Sequence, residues 1–339
     1  MGNDRKAVSI RDVAKKSSLS CETILEVLIS PSSIEPEVVR FVMKTIRETG
    51  YLETFSRWKT GKTSSSIAVL TTMFDSPSGA EVFRGIDRAM SALGLNLSML
   101  GIPTRGSSVF REEILQTILP FNMVDAVITI NSPPAHETAE KYARVGKPLI
   151  VLEDTVTGAQ SVLLENQKGM AIAINYLYGR GHRRIALING PTEGKRPETV
   201  ASARLIGYLT SMHRLGLKFD ESLVYEAANY DAEAGRSGFA QFKRTGAMPD
   251  AVVCAAGDMS AFAFIKAARE EGLRVPEDIA VMGYDDLPVA SLMSPALTTI
   301  RQRLMIAGAA SLVLALEAAV NGMGENLVIM PELVVRDTA

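Results

Sequence analysis

From Ser66 onward, short apolar runs alternate with amphipathic ones, and the alternation runs through twice. Ser66–Leu70, Leu95–Leu100, Ala126–Ile130 and Leu149–Leu152 read as strands, with helices Ala80–Leu93, Phe110–Leu119 and His136–Val145 between them. A second array follows. Helices Gln167–Arg180, Val200–Leu215, Ala232–Arg244 and Ser260–Glu271 alternate with strands Ile185–Ile188, Leu223–Glu226, Ala251–Cys254 and Ile279–Met282, and helix Met305–Asn321 completes it. Strand–helix alternation predicts parallel, doubly wound sheets, and two arrays predict two α/β lobes. Ligands of such sheets bind at the carboxyl ends of the strands, so two facing lobes predict a cleft site.

The first 50 residues follow a different period. Ser9-Ile10-Arg11-Asp12 is a capping box, with Ile10, Val13 and Ala14 at helical spacing after it. Ser20 is the next expected N-cap, followed by an apolar stripe of Ile24, Val27 and Leu28. Pro36 suits the first position of a third helix with Val39, Val42, Met43 and Ile46 inside, and Gly50 is the expected stop. Three short helices, the first two joined by about four residues, predict a helix-turn-helix head; an unrelated three-helix bundle is the alternative. Residues 53–65 are polar and basic and read as a linker.

Charge follows the same division. Residues 1–62 hold eleven Lys or Arg against eight Asp or Glu, while the whole chain of 339 residues has a formal charge of −2. A basic head on an acidic body fits a nucleic-acid module joined to another domain. The two cysteines, Cys21 and Cys254, lie far apart and form no metal clip, which points to a reducing, cytoplasmic compartment. No secretory leader and no uninterrupted apolar run of about 18 residues is read, so no membrane is expected. Three histidines without metal spacing, and no GxSxG, Walker A or GxGxxG pattern, argue against an enzyme, a metal or a cofactor. Thr60-Gly61-Lys62-Thr63 mimics the end of a phosphate loop but lacks its upstream Gly and preceding strand.

Several runs resemble the lactose-repressor/galactose-repressor (LacI/GalR) family of bacterial regulators. Ser9-Ile10-Arg11-Asp12-Val13-Ala14, Leu19 to Leu28 and Gly50-Tyr51 are similar to the family's head; Gly181-His182-Arg183-Arg184-Ile185-Ala186, Glu165-Asn166, Arg204 to Tyr208, Leu273 to Asp286 and Leu297 to Gln302 are similar to its body. The resemblance spans nearly the whole chain in the family's order. It implies a periplasmic-binding-protein-like body on a helix-turn-helix head: residues 1–52 as head, 53–65 as hinge, 66–164 with 293–324 as N-lobe, and 165–292 with 325–339 as C-lobe. It also implies a homodimer on a double-stranded DNA operator, responding to a small polar effector such as a sugar or nucleoside. The runner-up is a sensor whose head has given up DNA for a protein partner.

In such a head the second helix enters the major groove. With Ile24, Val27 and Leu28 inward, Cys21, Glu22, Leu25 and Glu26 are expected outward. The DNA-contacting set is then Ser9, Arg11, Ser20, Cys21, Glu22, Thr23 and Glu26. Lys15, Lys16, Arg40 and Lys44 join Arg11 as possible phosphate partners. Glutamates can accept from cytosine or adenine amino groups, although Glu22 could equally just complement the helix N-terminus. The family has Ser-Arg where Leu25-Glu26 stand and Thr-Arg where Val38-Val39 stand. Its hinge has Pro-Asn where Glu53-Thr54 stand, and this linker is shorter. Phe55 or Trp58 is available as an apolar minor-groove wedge, unless Trp58 packs on the body. For the effector, the resemblance implies Asp75 and Ser76 in the loop after the first body strand, Arg204 as a clamp, Tyr230 as a stacking ring, Asp258, Asp285 for hydroxyls, and Gln302.

Overall fold

A computed structural model describes residues 7–59, 65–104, 107–121, 124–192 and 199–339. Linker residues 60–64, including the Thr60–Thr63 run, lie outside them. In chain order the helices are α1 (Ile10–Ser17), α2 (Cys21–Ile29), α3 (Pro36–Thr49), α4 (Ser56–Lys59), α5 (Pro77–Leu93), α6 (Ser108–Phe121), α7 (His136–Arg144), α8 (Asn166–Gly179), α9 (Val200–Arg214), α10 (Ala232–Thr245), α11 (Asp258–Glu270) and α12 (Leu304–Asn321). The strands are β1 (Ser66–Thr71), β2 (Ser98–Pro103), β3 (Ala126–Ile130), β4 (Leu149–Leu152), β5 (Gln160–Leu164), β6 (Ile185–Asn189), β7 (Val224–Glu226), β8 (Ala251–Cys254), β9 (Ala280–Asp285), β10 (Thr298–Arg301), β11 (Leu327–Ile329) and β12 (Glu332–Val334).

Two six-stranded sheets result, ordered β11-β5-β4-β3-β1-β2 and β12-β10-β9-β8-β6-β7. The pairs from β2 through β5 and from β7 through β10 are parallel, and β12 closes the second sheet antiparallel to β10. Each sheet reverses its strand order beside its first strand, the switch point at which doubly wound sheets bind ligands. By contacts the chain divides into two units, residues 1–163 with 304–329 and residues 164–303 with 330–339. The crossover back into the first unit falls at Arg303–Leu304, because β10 pairs with β9 and keeps residues 298–301 in the second sheet. Strands β5, β10, β11 and β12 are additions to the sequence reading.

The first unit holds the head as well as the lobe. Helix α1 opens on the expected box: the Ser9 hydroxyl accepts from Asp12 N, and the Asp12 carboxylate accepts from Ser9 N at 2.8 Å. Ser20 caps α2 and left-handed Gly50 ends α3. The stretch after Gly50 is helical rather than a free linker. Tyr51, Phe55 and Trp58 fall on one helical stripe and are buried, with Tyr51 edge-on to Phe55 at 5.2 Å. The Trp58 carbonyl accepts from Asn96 N at 2.8 Å, and Arg57 bridges to Asp125 at 3.1 Å. Trp58 therefore packs on the body and is not an exposed wedge.

Helix α12 is the piece on which this unit is assembled. Its 18 residues are long and apolar enough to cross a membrane by length and composition, but 78% of that window is buried, as in a core helix. From Leu304 to Leu316 it holds apolar residues, one Gly and one Ser, so it lacks a polar face. Strands β3 and β4 and helix α5 cover part of it, and α2 with the 51–55 turn covers more. Glycines let α5 and α12 touch backbone to backbone. A Cβ on Gly308 would sit 2.0 Å from Val82 O, and one on Gly85 2.0 Å from Met305 O. Gly308→Ala should therefore destabilise, by about 1–3 kcal/mol on urea unfolding, although the same change gains about 1 kcal/mol in an open helix.

Candidate functional site

Two surfaces were expected to carry function: the head's second helix and the carboxyl ends of the second sheet.

In the head, α2 is half-buried along its length. Ile24 and Val27 face the head's own core as expected. Leu25, read as outward, is fully buried, and Ile29 one turn later is 6% exposed. The reason is that α2 lies against α5 and α12 as well as against α1 and α3. Cys21, Glu22, Thr23 and Glu26 are partly exposed, and Ser9 and Ser20 serve as caps. Arg11 is committed to the body: its Nη2 donates to the carbonyls of Glu325 at 2.9 Å and Asn326 at 2.7 Å. Lys16 and Lys44 both pair with Glu48, and Arg40 pairs with Glu37.

Glu317 of α12 is the polar centre of this contact. Its Oε1 accepts from Ile10 N at 2.6 Å and from the Tyr51 hydroxyl at 2.8 Å. Burial pushes the carboxyl up to about 7, helped by Asp12 and opposed by those two hydrogen bonds and by Arg11. A carboxyl raised above its unfolded value of 4.5 holds a proton that the unfolded chain releases. Its contribution to stability is therefore greatest at low pH and is lost as pH rises from about 4.5 to about 7. Arg11, Asp12, Tyr51 and Cys21 are the other titratable groups facing this carboxyl or coupled to it. Urea unfolding at about pH 5 and about pH 7.5 should show the drop in the natural chain, and a smaller drop in Glu317→Gln, whose amide oxygen still accepts both bonds.

In the second unit the structure brings together five of the expected effector residues. Arg204, on α9, is 3% exposed. Its Nε donates to Asn166 Oδ1 at 2.8 Å, Nη1 donates to the Ala255 carbonyl just past β8, and its guanidinium stacks 4.1 Å over the Tyr284 ring. The Tyr230 ring lies 6.0 Å from the same guanidinium and over Gly190, where any Cβ would strike it at 2.2 Å. Asp285 ends β9 with φ of +116°, followed by Asp286 at +58°. Such backbone is strained for residues other than glycine and concentrates at functional sites. Gln302 Nε2 donates to Asp285 Oδ1, while buried Gln302 Oε1 accepts no hydrogen bond among the described residues.

Asp258 stands differently from its expected role. It is fully buried, Oδ2 accepting from Leu287 N at 2.7 Å and Oδ1 from the Thr299 hydroxyl at 2.6 Å. Burial, reinforced by Asp285, pushes its carboxyl well above the usual range. Asp258 thus props the loop after β9 from behind, both of its oxygens engaged within the protein. Asn166 and Tyr284, which hold Arg204, were not singled out from sequence, although both stood in quoted motifs. Asp75 and Ser76 belong to the first unit: Ser76 caps α5, its hydroxyl accepting from Gly79 N at 3.0 Å, and Asp75 is exposed.

A family model described as a periplasmic binding protein-like domain matches residues 174–339. The chain is 27% identical over 334 residues to the HTH-type transcriptional repressor PurR of Pasteurella multocida, covering 97% of each chain. It is 29% identical over 301 residues to the ribose operon repressor of Escherichia coli, covering 87% of this chain and 88% of that one. The lac repressor dimer bound to operator has the same fold, with a TM-score of 0.70 and 24% identity over 98% of this chain and 99% of that one. The head motifs, the two doubly wound units and these relatives agree, and the chain is similar over nearly its whole length to transcriptional repressors with a periplasmic binding protein-like domain.

Proposed function

We propose that this chain is a ligand-responsive, sequence-specific DNA-binding transcription regulator, acting as a repressor on a small polar effector of the sugar or nucleoside class. It works in the cytoplasm as a homodimer on a double-stranded operator. The observation that carries the effector reading is the cluster at the carboxyl end of the second sheet. A buried, pre-oriented guanidinium (Arg204), a carboxylate on strained backbone (Asp285), a buried acceptor with no donor among the described residues (Gln302 Oε1) and an aromatic ring (Tyr230) stand together. An Arg fork and a carboxylate suit paired hydroxyls, and a ring suits a sugar or base face. The name of the ribose operon repressor agrees with the sugar class. The reading is of a regulator, as the relatives are named, rather than of an enzyme.

A second reading keeps the sensor and replaces DNA by a protein partner. The burial of Leu25 and Ile29, which removes apolar residues of α2 from any groove, favours it. Selection from random duplexes separates the two, since recovery of a palindrome requires the first.

The effector reading is tested by a thermal-shift screen of sugars and nucleosides, because a ligand that binds the native state raises apparent stability. With a hit in hand, Arg204→Ala and Asp285→Asn should each weaken calorimetric affinity at least about thirtyfold. The Asn variant keeps the acceptor for Gln302 Nε2, so its folding transition should stay close to that of the natural chain. Unchanged affinity in both variants would refute the assignment of this cluster to the effector.

A further inference from the structure

The helix expected to read DNA is the helix that docks the head. Leu25 and Ile29 share one face of α2 and are buried where α2 meets α5 and α12. The lobe rings that contact with polar bonds. Glu317 accepts from Ile10 N and Tyr51 Oη. The Asn321 side chain accepts from Ala7 N at 2.9 Å and donates to Ala7 O at 3.0 Å. Arg88 of α5 donates to the Ser30 hydroxyl at 2.7 Å and to Ile29 O at 3.3 Å, at the end of α2. A helix flanked this way cannot settle into a major groove, which must close around it on both sides.

We propose that α2 is a latch as well as a reading helix: it holds the head shut against α5 and α12, and DNA is read through it only after the head comes away. This rests on the DNA-binding reading above. Two features besides the hydrogen bonds favour the closed state. Leu25 stands where the family has a polar residue, so the docked face is apolar on the α2 side. Helix α12 has no polar face, so undocking exposes apolar surface on both partners. The affinity of the natural chain for its operator is then reduced by the fraction of molecules that are open.

The test uses full-length protein and alters only the lobe side, leaving every residue of α2 in place. Arg88→Ala combined with Asn321→Ala removes two flanking clasps, and Glu317→Lys puts a cation against the Ile10 N–H. Hydrogen exchange and titration of duplexes selected from a random pool are measured on the natural chain and on each variant. Opening the latch should speed exchange of the amides of residues 21–29 at least about tenfold, with β3 and β4 unchanged. It should also tighten duplex binding at least about tenfold. Equal exchange over α2 in the natural and variant chains overturns the latch. So does a natural chain that binds a duplex with an affinity the variants do not change. Faster α2 exchange in the variants with no duplex retained by any chain supports the latch and counts instead against DNA as the target. Should Glu317→Lys fail to fold, the double variant decides alone.

Discussion

The first unit depends on the contact between α5 and α12. Gly85 and Gly308 bring the two backbones close enough that the helices interlock, which fixes α12 against β3 and β4. Once seated, α12 still has apolar surface left over, because its first thirteen residues contain no charge and no strongly polar side chain. Something must cover that surface, and the head does so with α2 and the 51–55 turn. The head is therefore fixed in place by a packing requirement of the lobe. Glu317, the only ionisable residue in the buried part of α12, sets the register of that contact, since its carboxyl has to find Ile10 N and Tyr51 Oη together. A buried carboxyl with neither donor would cost several kcal/mol.

The second unit solves a different problem, that of holding charge at the end of a parallel sheet. Two of its aspartates are adjacent in space and unlike in role. Asp258 lies beneath the loop, accepting from Leu287 N and Thr299 Oγ1, in a space that exists because Gly283 has no side chain: a Cβ there would sit 2.2 Å from Asp258 Oδ1. Asp285 stands at the strand end on strained backbone, tied by Gln302. With Asp258 shifted toward its neutral form, the two carboxyls can lie close without full mutual repulsion. Asp286, next along, is clamped by Arg301 and Arg336, both at 2.7 Å, which anchors the turn that aims Asp285.

Much of this was legible in the chain. Ser9, Ser20, Pro36 and Gly50 punctuated the head because caps and stops act locally, through one side chain and one or two amides. The parallel arrays were legible because buried strands are continuous apolar runs. Strand β5 was not, since Gln160 and Ser161 are polar yet buried, their amide and backbone groups bonded to the Glu325–Asn326 turn far along the chain. The segment after Gly50 read as a linker on composition, although Tyr51, Phe55 and Trp58 at spacings of four and three already form a helical stripe. Leu25 was placed outward because a three-helix head leaves that face to solvent. Only the lobe turns it inward, and the signal for that sat almost three hundred residues away, in a helix without a polar side.

The charge of the head fits the same picture. Among the described residues, several of its basic groups are already engaged. Arg11 is held by the carbonyls of Glu325 and Asn326, while Lys16, Lys44 and Arg40 are shared with Glu48 and Glu37. The exposed pairs are weak and exchange readily for phosphate. Arg11 differs, because releasing it means breaking two hydrogen bonds that form part of the dock. Electrostatic attraction to a duplex can therefore act on the closed head through Lys15, Lys16, Arg40 and Lys44. Base contact through α2 must wait for the apolar seal on α12 to open, so attraction and recognition are separate steps in this chain, the first set by surface charge and the second by core packing.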